Sequence, residues 1–181
     1  MLYDPSKHHR RSIRLQGYDY RQAGIYHVTI CSFEKRCVFG KIENDQFIPN
    51  AYGNIVMDCW VDVVNHTPFP SLDEWQLMPN HLHGLLVLSA EKIAGEAIAG
   101  ESPAESQFQV PAGSLGVVVR SFKAAVKRQV NKLRSERELA PVEVWQSNYY
   151  EHIVRDEDDL NRIRRYIIEN PLNWDSDENR A

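Results

Sequence analysis

The sequence predicts an α+β domain in which helices pack on an antiparallel β-sheet. Segments rich in β-branched and aromatic residues, with apolar residues at alternate positions, indicate strands. Longer segments repeat apolar residues every three to four positions, as amphipathic helices do. Their order along the chain is strand-rich region, helix, strand pair, helix, strand, helix, which is typical of the α+β class. The 181 residues, 43% of them hydrophobic, suit one domain with its own core, so we expect a single domain over residues 1–181.

Strands are predicted where alternate side chains are apolar. The clearest is Gly24–Cys31, in which Tyr26, Val28 and Ile30 share one face. Further extended segments are predicted at residues 38–42, 46–48, 75–78, 81–88 and 144–154. The polar run Glu43-Asn44-Asp45 joins the first two of these as a hairpin.

Helices are predicted over residues 52–65, over residues 115–134 and from Asp156 to Pro171. Asn50 and Asp156 are residue types that cap helix N-termini. Acidic residues at 157–159 favour the positive first turn of the last helix, and Pro171 ends it.

Residues 89–114 are predicted to be a flexible insertion in this domain. The segment contains Ile-Ala-Gly-Glu twice, at 93–96 and 98–101, and is rich in small residues. Such composition is typical of a linker.

The remaining composition indicates a cytoplasmic protein without a membrane partner. No apolar run approaches the roughly 20 residues that a spanning helix needs. The N-terminal residues 1–14 are polar and basic, unlike a secretory signal. Cys31, Cys37 and Cys59 are odd in number and form no Cys-x-x-Cys pair, so we expect reduced thiols.

Basic residues are clustered although the formal net charge is -4. The clusters are Lys7, Arg10, Arg11 and Arg14 near the N-terminus, and Arg120, Lys123, Lys127 and Arg128 on the second predicted helix. Such clusters either form a solvated face or bind phosphates, and charge alone does not choose between these.

Two histidines form the first candidate site. His81 and His83 are separated by one residue in a predicted strand, so their side chains project from the same face. They are either a metal-binding pair or two surface histidines.

A tyrosine and an asparagine form the second candidate site. Tyr166 and Asn170 lie one turn apart on the last predicted helix, beside its apolar stripe. A phenol there could reach a cleft between helix and sheet, and the Asn170 amide oxygen could complete a metal site. The alternative is a half-buried tyrosine and a helix-terminal asparagine. For a third group, Tyr149-Tyr150-Glu151-His152, we prefer a structural role at a sheet edge.

Several segments resemble one family of enzymes. Residues 78–86, Met-Pro-Asn-His-Leu-His-Gly-Leu-Leu, resemble the HUH motif (His, hydrophobe, His) of single-tyrosine transposases. Residues 145–155 and 165–171 resemble blocks of their REP-associated tyrosine transposase branch, and residues 15–20 and 118–123 also fit its pattern. The match extends roughly from Arg11 to Trp174 and leaves out the insertion.

This resemblance implies the HUH, ferredoxin-like fold and metal-dependent cleavage and rejoining of single-stranded DNA through a 5′-phosphotyrosine intermediate. It implies that Tyr166 is the nucleophile, that His81 and His83 bind Mg²⁺ or Mn²⁺, and that Asn170 is the third ligand. The implied partner is single-stranded DNA folded into a hairpin, which the basic clusters would contact. Relatives act as homodimers or as monomers, and the sequence leaves this open.

Two other functions remain open on the sequence. One is a domesticated protein that binds DNA hairpins with little or no cleavage. The other is a metal-dependent hydrolase of small phosphoesters. A covalent adduct that depends on Tyr166 distinguishes the transposase chemistry from both.

Overall fold

The structure, a computed structural model, describes residue 19 and residues 22–65, 71–88 and 114–180. The predicted insertion lies outside the described residues apart from Ser114. The N-terminal basic cluster also lies outside them, namely Lys7, Arg10, Arg11 and Arg14.

The fold is α+β, as predicted. Its strands are β1 (Gly24–Cys31), β2 (Gly40–Glu43), β3 (Gln46–Pro49), β4 (Ser71–Leu77), β5 (His81–Leu88) and β6 (Tyr150–Ile153). Its helices are α1 (Ala51–Val61), α2 (Leu115–Glu136) and α3 (Glu157–Glu169). The main sheet is antiparallel with the order β4-β5-β1-β6, and β2 and β3 form a separate two-stranded sheet.

One face of the main sheet forms the larger hydrophobic core. Tyr26, Val28 and Ile30 of β1 face the same side as Leu82 and Leu86 of β5, because the strand register pairs Tyr26 with Leu86 and Ile30 with Leu82. These fully buried side chains belong to one cluster with apolar residues of α1 and α2. The predicted apolar faces of strands and helices therefore meet here.

The opposite face is covered by α3. Leu85 of β5 packs with Ile163 and Ile167 of α3, so residues of β5 alternate between the two layers. An ion pair adds to this packing: the Arg164 guanidinium donates to both carboxylate oxygens of Asp73 in β4, at 2.8 and 2.5 Å. The two contacts hold α3 against the sheet at a fixed position.

Several predicted boundaries were wrong, each for a local reason. The strand predicted at 75–78 is β4, which begins at Ser71; a register shift between Leu72 and Trp75 interrupts the alternation there. The extended segment 144–154 forms a strand only over β6, and Trp145 makes an isolated bridge to Ser32.

The other elements follow the predictions closely. The Asn50 side chain accepts hydrogen bonds from the first turn of α1, and the helix tightens into a 3-10 turn over Asp62–Asn65. The β2–β3 hairpin turns at Asn44 and Asp45, both at positive φ, which suits a two-residue type I′ turn. In the described part of the chain, no helix is long and apolar enough to cross a membrane.

Candidate metal and tyrosine site

His81 and His83 lie side by side on the β5 face that α3 covers. Their ring centroids are 4.6 Å apart, and the side chains are 0% and 2% exposed. They are therefore not surface histidines. The pleat that sends Leu82 into the core sends both imidazoles toward α3, as the sequence predicted.

Asn80 fixes the orientation and the protonation of His81. The Asn80 amide nitrogen donates to the carbonyl oxygens of Lys35 and Asn179, at 2.9 and 2.8 Å. Only the NH₂ end of the amide can serve two carbonyls, so Oδ1 is the atom that lies 2.7 Å from His81 Nδ1. The proton of a neutral His81 ring is therefore on Nδ1, and the Nε2 lone pair is free to bind a metal.

Thr29 contacts the Nδ1 atom of His83 as Asn80 contacts that of His81. Its hydroxyl lies 2.9 Å from His83 Nδ1, in strand β1 directly opposite His83. This bond leaves Nε2 of His83 directed toward α3. Both imidazoles thus have one ring nitrogen held by the scaffold and the other aimed into the same space.

Burial keeps both rings neutral. Desolvation lowers the pKa of His81 to about 4, although the nearby Asp177 carboxylate acts to raise it. Desolvation also lowers the pKa of His83 well below its usual value, with smaller contributions from His81 and His27. Neutral imidazoles are the form that binds metal ions.

Tyr166 extends from α3 to the same place. Its hydroxyl lies 3.4 Å from His83 Nε2, and the two ring centroids are 5.1 Å apart. The side chain is 40% exposed, so a ligand from solvent can reach it. Burial, followed by the carboxylates of Asp177 and Glu178, raises the pKa of the phenol.

Asn170 follows Tyr166 by one turn and is 2% exposed. Its Oδ1 atom is buried and has no hydrogen-bond partner among the described residues. The Asn170 side chain lies close enough to both neighbours to act on them: it raises the pKa of His81 and lowers that of Tyr166. The predicted site residues His81, His83, Tyr166 and Asn170 are thus brought together.

Asp177 joins this group although the sequence did not indicate it. One ligand atom each from His81, His83 and Asp177 lie within 4.8 Å of one another, so this group could hold a metal ion. Asp177 lies after α3, in a segment that folds back over the start of β5. Neither residue spacing nor strand alternation signals such a return of the chain.

A cleft of about 460 Å³ opens beside the histidines and Tyr166. Its walls include His27, Tyr150 and His152. His27 stacks on His83 with 5.3 Å between ring centroids, and burial lowers its pKa to about 4. Part of the block that was predicted to have a structural role therefore lines the cleft, namely Tyr150 to His152. His152 Nε2 also lies 2.7 Å from Asp159 Oδ2 of α3.

The basic residues of α2 lie on the other side of the sheet from this cleft. Arg120 and Arg128 are exposed. Lys123 donates to the carbonyl oxygens of residues 146 and 148, and burial lowers its pKa to about 8. Lys127 pairs with Glu143 at 2.5 Å. Within the predicted α2 cluster, the two lysines thus make contacts inside the chain, and both arginines are exposed.

Sequence reasoning missed Thr29, Asn80 and Asp177, and also His27. The pairing register of β1 with β5 was needed to place Thr29 and His27 beside His83. Asn80 carried a weak signal, because it directly precedes the His-x-His pair, but the sequence indicated only a chain break there.

The comparisons with known proteins agree with this architecture. No protein-family profile matches the chain. A solved structure of a REP-associated tyrosine transposase bound to a REP hairpin superposes with a TM-score of 0.53 at 17% identity, over 89% of this chain and 74% of that one. The chain therefore has the fold of the REP-associated tyrosine transposases, as the resemblance of its motifs implied.

A closer relative in sequence is an uncharacterized protein of Haemophilus influenzae. The two are 40% identical over 182 aligned positions, which cover 97% of this chain and 96% of that protein. The chain belongs to the same family as this Haemophilus influenzae protein.

Proposed function

We propose that this protein cuts and rejoins single-stranded DNA through a covalent bond between Tyr166 and a 5′-phosphate, with the help of a divalent metal ion. The observation that carries the proposal is the 3.4 Å distance between the Tyr166 hydroxyl and His83 Nε2, in an open cleft. Beside it, the buried atoms His81 Nε2 and Asn170 Oδ1 have no hydrogen-bond partner in the described part of the chain.

His81, His83 and Asn170 would hold the ion. Buried polar atoms without partners are uncommon because they are costly, and a bound cation would account for these. A bound Mg²⁺ or Mn²⁺ would coordinate a non-bridging phosphate oxygen, which would make the phosphorus more electrophilic. It would also favour the phenolate form of Tyr166. The two imidazoles favour Mn²⁺ over Mg²⁺.

In the proposed step the Tyr166 oxygen attacks phosphorus in line with the leaving 3′-oxygen. A tyrosine O–P bond forms, the P–O3′ bond breaks, and the 3′-oxygen leaves as a hydroxyl after gaining a proton. The raised pKa keeps the Tyr166 phenol protonated at neutral pH, so the attack releases this proton to solvent, and the leaving 3′-oxygen gains a proton from solvent. Attack by another 3′-hydroxyl on the phosphotyrosine reverses the step and joins new ends, so no nucleotide cofactor is required.

The proposed substrate is hairpin DNA with an adjacent single strand. Exposed Arg120 and Arg128 support phosphate contacts along α2, and the Lys7–Arg14 cluster is a further candidate. Lys123 and Lys127 already have partners within the chain and would have to give them up. Replacing Arg120 by Ala should reduce the slope of log affinity against log salt by about 0.9 if it contacts a duplex phosphate.

The proposed protein acts in the cytoplasm, as a monomer or a homodimer. His83 and Tyr166 of the same chain lie 3.4 Å apart, which supports a site that one subunit forms by itself. Cys31, Cys37 and Cys59 are free thiols, which supports a reducing compartment.

The test uses one hairpin oligonucleotide labelled at either the 5′ or the 3′ end, incubated with the full chain and Mn²⁺. The 3′ label should appear in an SDS-resistant protein adduct, and the 5′ label should be released on a shorter strand. Tyr166→Phe should abolish the adduct. Tyr150→Phe, which alters the other tyrosine of the cleft, should retain it.

Other outcomes would favour the alternatives. Binding of the hairpin without any adduct would favour a domesticated DNA-binding protein. Turnover of a chromogenic phosphodiester that is unaffected by Tyr166→Phe would favour a small-phosphoester hydrolase.

A further inference from the structure

The chain after α3 folds back onto the loop before β5. Its last described part contains a 3-10 turn, Trp174–Ser176, whose tryptophan ring lies 6.2 Å from the His81 ring. The carbonyl oxygen of Asn179 accepts a hydrogen bond from Asn80, and that of Glu178 accepts one from the Lys35 ammonium at 3.1 Å. These contacts hold the segment 174–180, the C-terminal segment, over the histidine pair.

This segment brings a carboxylate to the histidines. Asp177 is 2% exposed as a side chain. Its Oδ1 atom accepts a hydrogen bond from the backbone N–H of Asn179 at 2.6 Å, which fixes the orientation of the carboxylate. Its Oδ2 atom is buried without a hydrogen-bond partner in the described residues and lies 3.7 Å from His81 Nε2.

An ion pair with His81 does not explain this arrangement. A separation of 3.7 Å is longer than a hydrogen bond between these atoms. The hydrogen bond to Asn80 also assigns the proton of a neutral His81 ring to Nδ1, so the facing atoms of His81 and Asp177 both present lone pairs. Two lone pairs that face each other in a buried space repel, and a cation bound between them would satisfy both atoms.

We propose that Asp177 is a carboxylate ligand of the metal ion and that the C-terminal segment is therefore part of the metal site. The ligand atoms of His81, His83 and Asp177 are close enough to one another to share one ion. A carboxylate adds a negative charge to an otherwise neutral set of imidazoles and one amide, and together these donors suit Mn²⁺. The inference rests on the proposed function only in requiring that a divalent ion binds at the histidines.

The negative charge of Asp177 should affect the stability of the protein without metal. An uncompensated buried carboxylate destabilises the folded state, and its neutral isostere does not. Asp177→Asn should therefore leave the melting temperature in EDTA unchanged or raise it. A purely structural carboxylate would give the opposite result.

The test is a titration of the full chain with MnCl₂, followed by calorimetry and by the electron paramagnetic resonance signal of free Mn²⁺. Wild type, Asp177→Asn and the control Asp175→Asn are compared. Asp175 is 92% exposed and lies two residues away, so its variant makes the same change in net charge outside the site. Removal of a direct ligand should weaken Mn²⁺ binding at least about tenfold, since the loss of a residue that only hydrogen-bonds to a metal ligand already weakens binding by that much. Asp175→Asn should stay close to wild type.

Each other result overturns the inference. Equal Mn²⁺ affinity of Asp177→Asn and Asp175→Asn would mean that the histidines bind the ion without Asp177. An Asp177→Asn chain that melts lower in EDTA, or fails to fold, would show that the carboxylate stabilises the fold instead. Absence of Mn²⁺ binding by wild type would overturn this inference together with the metal dependence of the proposed function.

Discussion

Asn80→Ala tests whether one buried amide organises the site. The substitution removes two hydrogen bonds donated to the carbonyls of Lys35 and Asn179 and one accepted from His81. At about 1 kcal/mol for each bond, the free energy of unfolding should fall by about 3 kcal/mol. For a chain of this size that loss corresponds to roughly 6–12 °C in melting temperature. Urea unfolding in EDTA measures the change.

Two comparison variants sharpen this prediction. Asn80→Asp keeps an acceptor for His81 but directs a carboxylate oxygen at two carbonyls, so stability should fall while Mn²⁺ affinity is largely kept. In Asn80→Ala the orientation of His81 is also lost, and Mn²⁺ affinity should fall about 10- to 100-fold. Asn54→Ala, at an exposed position of α1, should change stability by less than about 0.5 kcal/mol. A loss below about 1 kcal/mol for Asn80→Ala, with unchanged Mn²⁺ affinity, would refute the reasoning.

Three further predictions concern the scaffold of the site. Gly84→Ala would place a methyl group 2.3 Å from Cζ2 of Trp60, so urea unfolding should show a loss of about 1–3 kcal/mol that is smaller in a Trp60→Phe background. Arg164→Lys should lose the two-point contact with partly exposed Asp73 and about 1 kcal/mol of stability, and a double-mutant cycle with Asp73→Asn should be non-additive. In EDTA, the unfolding free energy should fall as the pH drops from about 6.5 toward about 4, because the unfolded chain protonates His27 while the folded chain keeps it neutral. His27→Gln should reduce the slope of unfolding free energy against pH by up to ~1.4 kcal/mol per pH unit.

Each of these has an outcome that contradicts it. An equal cost of Gly84→Ala with either aromatic residue at position 60 would mean that the strand moves instead of pressing on the ring. Additive effects of the Asp73 and Arg164 variants would mean that their contact does not stabilise α3. A pH slope that is the same with Gln at position 27 would assign the acid sensitivity to other groups.

The sequence by itself determined the local structure and part of the site. Alternation placed His81 and His83 on one face of β5, and helical spacing placed Tyr166 one turn before Asn170. The fold class and most helices and strands followed from the same periodicities, because side-chain direction along a strand or helix is fixed by backbone geometry. Boundaries were wrong where a register shift in β4 broke the alternation.

Only the tertiary structure decided which separate segments meet. Strand register set Thr29 and His27 against His83, and the return of the chain after α3 brought Asp177 to His81. It also separated the exposed arginines of α2 from the tyrosine cleft, on the two sides of one sheet. Such meetings depend on the sum of many weak contacts between distant residues, and no periodicity along the chain records them. The histidine pair was therefore predictable from its spacing, whereas the amide that orients His81 and the carboxylate that faces it were not.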